Sequence, residues 1–108
     1  MIIDVHAHLD LGSNDVVRAM LDERLVDVVA LSSLCGGAWP TLAELRQAND
    51  HVFRWMEDYP GRVLGFAYVN PRLGDDGVGE LQRWLAGGLK GVKLWISPLA
   101  DDRRVDPL

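Results

Sequence analysis

The chain has 108 residues, 48% of them hydrophobic and 25% charged, with a formal charge of −5, proportions that suit one compact unit with apolar material for a core. That acidic balance leaves no basic face to neutralise a phosphate backbone, so no nucleic-acid partner is expected. A single cysteine, Cys35, rules out an internal disulfide framework, and neither a spanning apolar run nor a signal segment is visible, so a cytoplasmic protein without a membrane partner is expected.

Residues 1–10 read MIIDVHAHLD, an apolar strand running into His6-Ala7-His8. Side chains alternate along a strand, so Asp4, His6 and His8 share one face while Ile3, Val5 and Ala7 face helices on the other. The two histidines stand roughly 6.6 Å apart at their α-carbons. From there both rings can tilt towards one point and offer neutral nitrogens to a zinc-type ion. The pair reads as half of a metal site, with a surface pair or a hydrogen-bonded core histidine as the plain alternatives.

A turn follows in which Ser13 or Asn14 can cap a short helix carrying Val16, Val17, Met20 and Leu21 and ending near Arg24. Residues 26–31 are β-branched and apolar, a second strand buried on both faces. Ser32 and Ser33 end it, and a loop spans residues 35–40. Thr41 and Glu44 have the spacing of a capping box. The longest helix lies behind it, with Leu45, Ala48, Val52, Trp55, Met56 and Tyr59 as its stripe and Pro60-Gly61 as its stop. His51 falls off that stripe and reads as a solvated surface residue. A third strand runs from Val63 to Val69 and ends in Asn70-Pro71-Arg72. A turn is expected at Gly74-Asp75-Asp76-Gly77, then a helix through Val78, Leu81, Trp84 and Leu85. The fourth strand covers residues 91–96, and Ser97-Pro98 opens a polar tail.

Strands alternating with helices across short connections predict right-handed βαβ units and a parallel sheet: an α/β fold of four strands and three helices, one domain over residues 1–108. No Gly-x-Gly-x-x-Gly follows the first strand and no phosphate loop is present, which weighs against nucleotide-binding versions of such sheets. Ligands of parallel α/β sheets bind at the carboxyl ends of the strands. His6, His8, Ser32, Ser33, Asn70 and Ser97 all fall there. The inner face is expected around Gly65, Ala67, Val69 and Trp95, or on their alternates.

The stretches IIDVHAHLD, GFAYVNPR and ELQRWLAGGLKGVKLWISP, in that order, resemble the amidohydrolase superfamily, specifically its amidohydrolase-related branch. The resemblance implies a metal-dependent (β/α)8 TIM barrel of which this chain matches the N-terminal half. A complete barrel takes about 250 residues. It implies a hydrolase acting on a small molecule through metal-activated water, with a non-oxidative decarboxylase as the alternative. His6 and His8 match the paired ligands of a divalent metal, zinc being the expected ion. Lys93 matches the position where some binuclear members carry a carboxylated lysine. On a buried strand its amine would be desolvated towards the neutral form that a carbamate needs, although the residues themselves favour a lysine that snorkels to the strand end or pairs with Asp4. The family's further histidines and its aspartate general base belong to later strands, so the chain alone is expected to be inactive. Substrate contacts are expected from the strand-end loops, at Trp39, Asn70 and Arg72. A half-barrel also leaves its first and fourth strands as open edges, so a homo-oligomer, or pairing with a C-terminal half, is expected; a non-catalytic half-barrel acting by self-assembly is the rival from another class.

Overall fold

The computed structural model describes residues 1–10, 12–34, 39–95, 103, 106 and 107. Its elements are β1 (Ile3–Leu9), α1 (Asp15–Asp22), β2 (Val28–Ser33), α2 (Leu42–Asp58), β3 (Val63–Val69), a 3-10 turn (Pro71–Leu73), α3 (Gly74–Ala86) and β4 (Gly91–Leu94). All neighbouring strands pair in parallel, in the order β1-β2-β3-β4. Each parallel step is bridged by one helix, as the connection requires. The sheet curls. On a flat sheet the outer strands would lie about 14 Å apart, yet Lys93 Nζ on β4 stands 3.2 Å from His6 Nε2 on β1. Four curled parallel strands and three helices make half of a (β/α)8 barrel.

The helices form where local chemistry directs. Glu44 N–H donates to Thr41 Oγ1 at 3.2 Å and Thr41 N–H donates to the Glu44 carboxylate at 2.8 Å, completing the capping box of α2. Leu45, Ala48, Val52 and Trp55 of that helix are buried; Val52 and Trp55 share one core with Val29, Leu31, Val63, Ala67 and Val69 of the sheet, and Ala48 packs with Tyr68. At α1 the N-cap residue Asn14 makes no side-chain cap bond, while Ser13 Oγ accepts from Asp15 N–H.

Several expectations need correcting. Residues 74–77 are not a separate turn but the first turn of α3. The change of direction is made earlier, by the 3-10 turn and by Gly74 at φ +53°, a conformation suited to glycine. Asp75 and Asp76 then favour the positive end of the helix dipole. The described part of the fourth strand stops at Leu94, with Trp95 outside it, and residues 96–98 lie outside the described residues, as do residues 35–38 of the expected loop. Ile3 and Val5 do not pack on helices: β1 is an edge, and Val5 is 78% exposed. Val16 is likewise exposed on α1. On β3 the inner face falls on the alternates, while Trp95 packs with Tyr68. Gly65 meets Val52, Met56 and Leu89 on the helix side, whereas Phe66 lies over Gly91 on the concave side.

One contact sets the spacing of the strands. Beyond Leu31 and Gly65, β2 and β3 pair no further. The fully buried Asn49 of α2 takes over, donating from Nδ2 to Tyr68 O at 2.9 Å and accepting at Oδ1 from Tyr68 N–H at 2.7 Å. Its amide thus occupies the place of a neighbouring strand. Asn49→Ala leaves both peptide groups of Tyr68 without this partner and is expected to cost about 2–4 kcal/mol. Urea denaturation checks this, and a shift under about 0.5 kcal/mol at unchanged slope would show that the pairing contributes little.

Candidate functional site

At the carboxyl end of β1 the two expected histidines do converge. His6 Nε2 and His8 Nε2 are 2.8 Å apart, and the rings meet edge-on at 90° with centroids 4.6 Å apart. Plain alternation along a strand does not bring this about alone. The β1–β2 register shifts between Asp4 and Ala7, where three residues of β1 span two of β2, and such an irregularity re-aims side chains. Asp4 Oδ1 accepts from the His6 N–H at 3.0 Å within this irregular stretch.

Two further residues complete the cluster. Ser32 Oγ, at the end of β2, lies 2.8 Å from His8 Nδ1. Its backbone stands opposite His8 in the register. Ser32 was placed at the strand ends by the sequence, but its role as the partner of His8 was not. Lys93 reaches His6 from β4 rather than pairing with Asp4. It is half-buried on an edge strand whose Val92 and Leu94 are exposed, so the buried strand that would desolvate its amine is not found. His6, Ser32, Phe66 and Lys93 line an open concavity of about 200 Å³ on the inner face.

The electrostatics of the cluster are crowded with donors. An ammonium only donates, and a neutral imidazole nitrogen without its proton only accepts. His6 Nε2 therefore faces one donor in Lys93 while contacting a second nitrogen in His8. Burial, then the positive charges of Lys93 and His6, hold the His8 imidazole below its ordinary value of 6.5, against the hydrogen bond with Ser32. His8 is thereby biased towards the neutral form.

The other expected site residues sit elsewhere on the same rim. Asn70, 1% exposed, caps the 3-10 turn by accepting Arg72 N–H at Oδ1. The Arg72 guanidinium carbon lies 3.7 Å from the centroid of the Trp39 ring. His51 is half-buried rather than solvated, and burial followed by Arg54 lowers its pKa against the pull of Asp10. Among the described residues no group of three or more His, Cys, Asp or Glu side chains gathers as a metal cage. No described helix is long and apolar enough to cross a membrane.

Compared with known proteins, residues 3–108 match the family model described as Amidohydrolase. No curated protein matches the chain.

The lowered His8 pKa has a defined pH signature. A base whose folded pKa is depressed binds fewer protons folded than unfolded, so its contribution to stability is complete above about pH 6.5 and is lost as the pH falls through the folded pKa. In a two-dimensional NMR titration of the metal-free chain, His8 is expected to titrate below 6.5. Lys93→Met removes a neighbouring cation and should move that midpoint upward. An unchanged or lower midpoint would show that Lys93 does not act on His8.

Proposed function

The chain belongs to the amidohydrolase family, and we propose that within it His6 and His8 are two ligands of a divalent metal, zinc, in the site of a metal-dependent hydrolase of small molecules. The observation that carries the reading is the approach of the two Nε2 atoms to 2.8 Å with Ser32 on the far nitrogen of His8. Metal-ligating histidines characteristically engage their second nitrogen in this way, which settles the tautomer and the ring plane. With Nδ1–H donated to Ser32 Oγ, His8 presents an unprotonated Nε2 inward. The depressed His8 pKa keeps that lone pair available at neutral pH. The donor set fits such an ion as a half-site.

When bound, the ion supplies a Lewis acid for a substrate carbonyl and a water acidic enough to act as nucleophile near neutral pH. The residues of this chain have the remaining work of the inner rim. His6 and His8 hold the site on the end of a paired strand, and Ser32 orients His8. Lys93 places a donor 3.2 Å from His6 Nε2, where an ammonium disfavours a second cation. Were that amine, once deprotonated, to add carbon dioxide and release a further proton to solvent, the resulting carbamate would put an anionic oxygen pair in its place, the finer reading for Lys93. Two histidines fall short of the three protein ligands usual for catalytic zinc. The further ligands and the general base come, in this reading, from a second set of four strand–helix units, whether on the same polypeptide or on a partner.

Zinc titration against a chromophoric chelator tests the ligand assignment. The 108-residue chain should take up zinc weakly, Ser32→Ala should weaken uptake about 10–100-fold, and His6→Ala or His8→Ala should abolish it. Equal uptake by wild type and the double alanine variant would overturn the assignment. Metal uptake without turnover of esters, lactones or amides is expected from the 108-residue chain by itself. Turnover that follows metal content and disappears in His6→Ala would show instead that these residues suffice.

A further inference from the structure

Two loops meet on the rim that carries His8 and Ser32. Trp39 belongs to the connection from β2 to α2, and Arg72 to the 3-10 turn that leaves β3. Because the strands are parallel, both connections emerge at the carboxyl end of the sheet. The guanidinium carbon of Arg72 sits over the face of the indole, 3.7 Å from the ring centroid. Its backbone is well held: Pro71 is buried, and Arg72 N–H donates to Oδ1 of the buried Asn70 at 3.1 Å.

The charge of Arg72 has no acidic counterpart among the described residues. Arg46 and Arg83 both pair with Glu80 at 2.7 Å, whereas no described Asp or Glu forms an ion pair with Arg72. In a chain with 16 acidic and 11 basic residues, acids for such pairing are in surplus, and Asp75 and Asp76 follow within four positions. A stacked guanidinium has one face occupied, which leaves the edge of its plane as the surface that donates. That edge matches a carboxylate through two parallel N–H bonds, and the stack restrains the fork before a ligand arrives. The indole, 63% exposed, adds an apolar surface for a planar or alkyl body. Together they describe a receptor for a small organic acid.

We propose that Trp39 and Arg72 form the subsite for a carboxylate of the substrate, so that the hydrolase acts on a small carboxylic acid. The identification of the ligand as substrate rests on the hydrolase reading above. The carboxylate subsite itself needs neither metal nor turnover and can be tested apart from that reading.

Benzoate serves as the probe and benzamide as its uncharged counterpart, each titrated into the 108-residue chain while the indole N–H signal of Trp39 is followed by NMR. Benzoate should shift that signal saturably, and benzamide should not. Arg72→Gln should weaken benzoate binding roughly tenfold to a hundredfold at an unchanged thermal midpoint. Should that variant fail to fold, Arg72→Lys decides, since it keeps the charge, loses the fork and should still bind more weakly. Trp39→Phe, followed through the Arg72 Nε–H signal, keeps a ring for the stack and should retain binding. The double variant of His6 and His8 to alanine should bind benzoate as wild type does, so loss of the metal assignment would leave this subsite standing. Equal binding of benzamide, undiminished benzoate binding in Arg72→Gln or Arg72→Lys, or tighter binding of inorganic phosphate than of benzoate would overturn the carboxylate assignment.

Discussion

The amide of Asn49 holding both peptide groups of Tyr68 is the contact on which the carboxyl end of the sheet depends. Backbone polar groups in a buried strand must be paired. In a continuous sheet, β2 would pair those of Tyr68. Because a helix side chain does so, β2 and β3 separate after Leu31 and Gly65, and the end of β2 pairs with β1 alone. Ser32 and Ser33 thus stand beside His8 and Leu9. A serine hydroxyl there meets an imidazole. The rim is arranged by a buried amide of α2.

A second constraint is the excess of donors on the inner rim. Lys93, His6 and His8 place three basic nitrogens within hydrogen-bonding distances in series, 3.2 Å and then 2.8 Å. Burial first, and then the neighbouring positive charges of Lys93 and His6, hold the His8 imidazole below its ordinary value. The irregular register of β1 produces this crowding by turning His6 and His8 towards one point. Crowding of this kind is unfavourable for packing alone.

The apolar residues of the edge strands express a third constraint. Ile3 and Val5 on β1 and Val92 and Leu94 on β4 remain exposed although their residue types suit a core. β1 and β4 are the outer strands of the sheet. Among the described residues each of these strands pairs on one side only, and an unpaired strand edge favours further pairing. Each 100 Å² of apolar surface left in water forgoes about 2.5 kcal/mol. The core between the sheet and its helices is nevertheless complete, since Leu21, Leu31, Leu45, Val52 and Val69 are at or below 1% exposure.

Much of this was legible in the amino-acid order. Helix α2 followed from its stripe and its capping box, β3 from an unbroken apolar run, and the His6–His8 pair from a spacing of two at a strand end. These are short-range signals, because propensity, capping and alternation act over one to four residues. The parallel topology followed from them, since only a right-handed crossover joins such strands. Misjudged features were those set by neighbours distant in sequence. Residues 74–77 read as a turn because glycine and aspartate favour turns, yet the helix dipole uses the same aspartates. Ile3 and Val5 read as core because they are apolar, yet exposure of an edge depends on what lies beside it. Ser32 on His8, Lys93 on His6, Asn49 on Tyr68 and Arg72 on Trp39 link positions 24, 87, 19 and 33 residues apart. The residue types for the chemistry were therefore present in the sequence, but which of them meet was decided by the curl of the sheet and the splay between β2 and β3, because contacts across strands depend on geometry accumulated over the whole chain.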